Sequence, residues 1–207
     1  MSDLLRPIEI ARPASLEFGA GLVGRVGAWA KERGVTRTLV ITGRSGARRV
    51  DLLALPGQVE VWNQAQPEPD IPDLDAALRV AARVQPQLVV GFGGGSAMDL
   101  AKLVAVLPGS GQTLHEVVGP EKVNGRKVLL AQVPTTSGTG SEAGTRALVT
   151  DPATQNKLAV QSRHMMADLA VVDPDLTISV PSAVTAFTGV DALAHCAEAS
   201  PRRRRIR

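Results

Sequence analysis

Three stretches of this 207-residue chain carry residue types and spacings suited to chemistry. The first is "LVVGFGGGSAMDLAKLVAVL", an apolar run, a glycine loop and an amphipathic helical pattern in immediate succession. Gly93, Gly94 and Gly95 lack Cβ, so the backbone there can turn sharply and press close to a ligand. Ser96 stands where an N-cap would be, with Asp99 three residues on completing the look of a capping box. Free N–H groups at such a helix start suit a pyrophosphate. The loop alone leaves two readings open, a phosphate cradle or a tight, well-capped turn. It also departs from the usual dinucleotide fingerprint, because it follows the third apolar run and Ser96 replaces a third glycine. The second stretch, "VPTTSGTGSEA", gathers Thr135, Thr136, Ser137, Thr139 and Ser141 around Gly138 and Gly140. Hydroxyls at that density can donate to phosphate, ribose or carboxamide oxygens. Two such loops in one sheet favour a bound dinucleotide over two bare turns. The third stretch, "DALAHCAEAS", sets Asp191 and His195 four apart, the spacing at which two metal ligands share a helix face. Without further context, such a pair is more often an ion pair or a cap than a metal site.

These residues need elements to hold them. "TRTLVITG", "QVEVWN", "PQLVVGF", "KVLLAQVP" and "LAVVDP" read as strands rich in Val, Leu and Ile. Between them Leu22, Val23, Val26 and Ala30 recur at helical spacing, as do Leu74, Ala77, Leu78 and Ala81. Strand and helix in alternation predict an α/β domain with a largely parallel sheet, whose ligands bind beyond the carboxyl ends of the strands. Both polar loops fall there. After "LAVVDPDLTISVP" the composition shifts, and "SAVTAFTGVDALAHCAEA" reads as a helix with few breakers. The expected division is therefore residues 1–180 for the sheet domain and 181–207 for the start of something helical.

Composition narrows the partners. Five of the 23 Lys and Arg lie in the last six residues, and without them 18 basic side chains face 20 acidic ones. The formal charge of +3 therefore belongs to a tail rather than to a binding surface. With two Trp, three Phe and no Tyr, a base-stacking surface is not expected, so nucleic acid is not an expected partner. Apolar runs such as "LVAVL" are too short to span a bilayer, and the first residues lack a signal-peptide core. A lone Cys196 permits no internal disulfide, which suits a reducing cytoplasm.

"GGGSAMDLAK", "PTTSGTGSE", "DPDLTISVP" and "TAFTGVDALAHCAEA" resemble, in order and spacing, the successive signatures of the iron-containing (group III) alcohol dehydrogenase family. The resemblance spans residues 5 to 199. It implies a Rossmann-like dinucleotide-binding domain followed by an all-helical domain, with a divalent metal in the cleft between them. By this resemblance Gly94, Gly95 and Ser96 hold the pyrophosphate of NAD or NADP, with Asp99 nearby. Thr135, Thr136 and Thr139 line the ribose and nicotinamide, and Lys157 reaches a ribose hydroxyl; read without the family, Lys157 is a solvated surface lysine. Asp191 and His195 match the first two ligands of the metal, Fe2+ or Zn2+, and two further histidines of a helical domain would complete the site. His115 and His164 match no ligand and are expected on the surface or in loops.

The family often places an acidic residue after the first nucleotide-binding strand, where it takes the adenosine ribose. Here Gly43 and Arg44 hold that place, so NADPH is expected to be accepted, with Arg44 or Arg48 beside its phosphate. The implied activity is hydride transfer between a nicotinamide and an alcohol, aldehyde or ketone. The resemblance also implies roughly the first half of such an enzyme. "CAEAS" follows the family pattern and "PRRRRIR" does not, as after a shifted reading frame, an artificial end or a truncated gene. Two ligands leave a metal site incomplete, so a dinucleotide-binding fragment without turnover is one alternative. A maleylacetate reductase-like enzyme with little reliance on metal is another. Val184, Val190 and Leu193 would lack the domain they pack against, which favours self-association, so a homo-oligomer is an expected state.

Overall fold

The computed structural model describes residues 11–199. Its strands in chain order are β1 (Ser15–Phe18), β2 (Arg37–Thr42), β3 (Gln58–Trp62), β4 (Leu88–Gly93), β5 (Gly119–Pro120), β6 (Leu129–Pro134), β7 (Arg146–Asp151), β8 (Asn156–Gln161) and β9 (Leu169–Val172). The helices are α1 (Arg25–Glu32), α2 (Arg44–Ala47), α3 (Ile71–Val84), α4 (Gly95–Ser110), α5 (Leu114–Val117) and α6 (Ser182–Ala199). Six strands form one sheet in the order β1-β9-β6-β4-β2-β3, every pair of it parallel. A smaller sheet, β5-β8-β7, includes the antiparallel pair β7–β8. The fold is a Rossmann-like α/β sheet flanked by helices, as the alternation of runs predicts.

The five apolar runs become β2, β3, β4, β6 and β9. β4 is buried along its whole length and β2 after Arg37, because helices cover both faces of a parallel sheet. Successive side chains then feed two cores. Leu39, Ile41, Val89 and Leu130 pack with α3 and α4 on one face. Val40, Val90, Phe92 and Val133 pack with Val26 and Trp29 of α1 on the other.

α3 starts as its sequence demands. The Asp70 carboxylate accepts from Asp73 N at 2.9 Å in a capping box, Pro72 follows, and Leu74, Ala77, Ala81 and Val84 point inward. α4 differs from its amphipathic reading. Leu100 through Leu107 are all buried, because the sheet, α3 and β7 enclose the helix on every side.

Arg126 joins the starts of β6 and β9. Its guanidinium donates to both carboxylate oxygens of Asp168, at 2.6 and 2.9 Å, and to the His164 and Val128 carbonyls at 2.9 and 2.8 Å. α6 lies outside the core, with Phe187 74%, Val190 66% and Leu193 71% exposed. The arginine run at 202–207 lies outside the described residues. Among the described residues no helix is long and apolar enough to cross a membrane.

Candidate functional site

Strand order decides where a ligand can enter. From β2 the chain adds β3 on one side, then crosses to place β4 on the other. A crevice opens beyond the carboxyl ends of the strands at such a reversal. The loops after β2, β4 and β6 meet there. Thr42 Oγ1 donates to the Phe92 carbonyl at 2.6 Å, and Thr135 N donates to the Gly93 carbonyl at 2.9 Å. Two cavities flank the glycine loop, with Ser96 lining both.

The helix start differs from the capping-box expectation. The N-cap of α4 is Gly94, extended at φ −78° and ψ −176°, and no side chain caps it. Ser96 lies inside the helix. No side chain therefore takes up the first N–H groups of α4, and such groups at a helix start can bind an anion. A Cβ on Gly95 would lie 2.9 Å from Thr139 Cγ2, so a larger residue there would force the Thr139 side chain aside.

Asp99 has another task than capping. It accepts from Ser141 Oγ at 2.7 Å and from Leu148 N at 3.0 Å, fastening the hydroxyl-rich loop and β7 to α4. Lys102, one turn on, donates to Ser141 Oγ at 2.7 Å and to the Arg146 carbonyl at 2.8 Å, with Asp99 Oδ1 at 3.5 Å. Its side chain is 1% exposed, and burial pushes its pKa below the ordinary lysine value, against the opposing pull of Asp99. Sequence reasoning passed over Lys102. The available signal was a lysine inside the apolar run "LAKLVAVL", three residues after Asp99.

One cavity, about 610 Å³, lies between α4, the hydroxyl-rich loop, β8 and α6. Gly95, Ser96, Thr139 and Lys157 line it together with Asp191 and His195. Asp191 Oδ1 and His195 Nε2 are 3.7 Å apart on one face of α6. α6 reaches this position by close backbone contact at Gly138, where a Cβ would lie 2.7 Å from the Thr188 carbonyl oxygen. Lys157 is exposed, as a surface lysine would be, yet it stands at the cavity wall and pairs with Glu68 at 2.5 Å. That bond and the lysine charge hold the Glu68 carboxyl below its usual pKa.

The other cavity, about 660 Å³, is lined by Thr42, Gly43 and Arg44 after β2, by Gly94, and by Thr135 and Thr136 after β6. The two threonines therefore stand apart from Thr139, which faces the Asp191–His195 side. Arg49 lines this second cavity and Arg48 does not.

A sequence model described as iron-containing alcohol dehydrogenase matches residues 13–174. The chain belongs to this family. Long-chain-alcohol dehydrogenase 1 of Geobacillus thermodenitrificans is 41% identical over 144 residues, covering 68% of this chain and 36% of that protein. A crystal structure of 1,3-propanediol oxidoreductase superposes with a TM-score of 0.87 at 26% identity, over 93% of this chain and 52% of that one. Sulfoacetaldehyde reductase from Bifidobacterium kashiwanohense, solved in complex with NAD+, gives a TM-score of 0.82 at 30% identity, over 90% and 51% of the two chains. The chain thus spans about half the length of these solved relatives, and between 36% and 51% of the length of curated ones.

For this iron-containing dehydrogenase family member, the metal question turns on donors. Asp191 and His195 offer one oxygen and one nitrogen donor, and among the described residues no group of three or more His, Cys, Asp or Glu could hold a metal ion. His115 is exposed on α5 and His164 is half-buried in a 3₁₀ turn, and neither lines the cavity of Asp191 and His195.

Proposed function

We propose that the chain is the dinucleotide-binding portion of an NAD(P)-dependent, metal-dependent alcohol dehydrogenase. Its reaction is hydride transfer between a nicotinamide and a small alcohol, aldehyde or ketone. The observation that carries this reading is that Ser96 lines both cavities. Pyrophosphate at the start of α4 lets a dinucleotide extend one way toward Gly43 and the other way toward Asp191 and His195.

In this reading Gly94, Gly95 and Ser96 present backbone N–H groups to the pyrophosphate. Thr135 and Thr136 donate hydroxyls on the adenosine side. Thr139 and Lys157 orient the nicotinamide ribose, Lys157 giving up Glu68 to do so; an exposed pair of that kind contributes little stability. Asp99 and Lys102 keep the hydroxyl-rich loop docked against α4. Asp191 and His195 would hold the divalent ion, Fe2+ or Zn2+, with remaining ligands from groups beyond the described residues. When bound, the dinucleotide supplies two-electron hydride chemistry and the ion Lewis acidity toward the substrate oxygen.

Residues 1–180 then form the nucleotide domain and 181–207 the start of a helical one, in a protein of the reducing cytoplasm, where the exposed thiol of Cys196 persists. The donor count favours a second reading, a unit that binds dinucleotide without turnover.

Titrating NADH into the chain, with and without Fe(II) or Zn(II), tests both. Binding with metal-dependent alcohol oxidation supports the dehydrogenase; metal-independent binding without turnover supports the second reading. Absence of dinucleotide binding rejects both.

A further inference from the structure

We infer that the cavity beyond β2 is built for a 2′-phosphorylated adenosine, so that NADPH is the dinucleotide this chain prefers. The inference rests on the dinucleotide reading above and adds which of the two forms is chosen.

In a doubly wound sheet the adenosine ribose lies at the end of a strand next to the glycine loop, where a carboxylate selects the free 2′-hydroxyl and an arginine accommodates a 2′-phosphate. β2 neighbours β4, and its register carries Thr42 opposite Phe92, one residue before Gly93. The residue that follows β2 is Gly43, extended at φ −92° and ψ 175°. No carboxylate projects from it, and no Asp or Glu lines this cavity among the described residues.

Two arginines do line it. Arg44, directly after Gly43, is exposed at the cavity wall. Arg49 is half-buried, and its Nη1 is fixed by the Leu176 carbonyl at 3.1 Å and Ser179 Oγ at 3.3 Å. One guanidinium can therefore move onto a ligand while the other supplies a positive charge held in place. The Ser45 hydroxyl, also on the wall, adds a donor. A dianion gains from this set and a neutral hydroxyl does not.

The backbone adds a constraint of its own. A Cβ on Gly46 would lie 2.1 Å from Thr42 Oγ1, the hydroxyl that donates to Phe92. Glycine at 46 keeps the Arg44–Arg49 segment against β2 and β4, facing the ribose position. At Gly43 the nearest atom to an added Cβ is the Ala65 carbonyl oxygen at 3.3 Å, tight but not prohibitive. An aspartate can thus be tried there.

The test is a fluorescence titration of the chain with NADPH and NADH at one ionic strength, repeated on Arg44→Ala and Gly43→Asp. Competition by 2′,5′-ADP and 5′-AMP isolates the adenosine end. The wild type is expected to bind NADPH about tenfold or more tightly than NADH, a gap that narrows as salt is added. Arg44→Ala brings the ratio close to one, and Gly43→Asp moves it toward NADH. The inference is overturned if NADH binds as tightly as NADPH, or if the preference survives Arg44→Ala unchanged. If neither dinucleotide binds, the dinucleotide reading itself fails and takes this inference with it.

Discussion

Gly138 and Thr188 touch so closely that a methyl group on the glycine would lie 2.7 Å from the threonine carbonyl oxygen. This contact connects the hydroxyl-rich loop to α6, and through α6 it sets the distance from Thr139 to Asp191 and His195. Gly138→Ala should therefore push α6 outward. Because α6 lies outside the core, global stability should fall by less than about 1 kcal/mol. Amide exchange across residues 182–199 should accelerate, while exchange in β4 and β6 stays as in the wild type. Unchanged exchange in α6 would show that the contact does not hold the helix.

Lys102→Met removes the donor shared by Ser141 and the Arg146 carbonyl. The expected loss is about 1–3 kcal/mol, since buried acceptors are left without their partner. The pH dependence has a definite sign. Burial depresses the Lys102 pKa in the folded state, so between that value and the ordinary 10.5 the unfolded chain holds a proton that the folded chain has released. Stability therefore rises with pH through that window, and the gain is lost as pH falls back through it. Urea denaturation of both proteins across the window should show this slope in the wild type and a flatter one in the variant.

Much of this arrangement was legible in the sequence, and the reasons for the exceptions are physical. Runs such as "QLVVGF" announce buried parallel strands because helices cover both faces, which removes polar alternation. β1 is four residues long at the sheet edge, where Leu16 and Phe18 are exposed despite being apolar, so its pattern carried little signal. β7 and β8 mix polar and apolar residues because one face is wet. The capping box foreseen at Ser96 and Asp99 failed because Asp99 bonds across to another loop, and spacing along one helix cannot report such a partner. Lys102 stayed hidden for the same reason.

Arg126→Lys tests the junction between β6 and β9. Lysine cannot reproduce two parallel bonds to Asp168 while also donating to carbonyls. The variant should lose about 1–3 kcal/mol in urea denaturation. Combined with Asp168→Asn it should cost clearly less than the sum of the single changes, since both remove one interaction. Strict additivity would argue against coupling.

His195→Ala tests the metal assignment. Zn(II) uptake, followed by competition with a coloured chelator, should weaken by at least about tenfold, and Asp191→Ala should match it. NADH titration should be affected less than metal uptake, because the contacts assigned to the dinucleotide come from Gly94, Gly95, Ser96, Thr135, Thr136, Thr139 and Lys157, and only its nicotinamide end approaches the cavity of Asp191 and His195. Zn(II) uptake equal to that of the wild type in both variants would remove Asp191 and His195 from consideration as ligands.

The pairing of β1 with β9 sets an order of events at the ribosome. Ser15 stands opposite Leu169, and the Asp173 carboxylate, which accepts from Gly21 N at 3.1 Å, is 152 residues further along the chain. At ordinary elongation rates that separation is about 8–30 s of synthesis. For that time the backbone of β1 has no neighbouring strand to bond, while β2, β3 and β4 can already assemble. β1 is thus made before β2, β3 and β4 and joins the sheet after them. During that interval a nascent-chain chaperone has its best opportunity to bind.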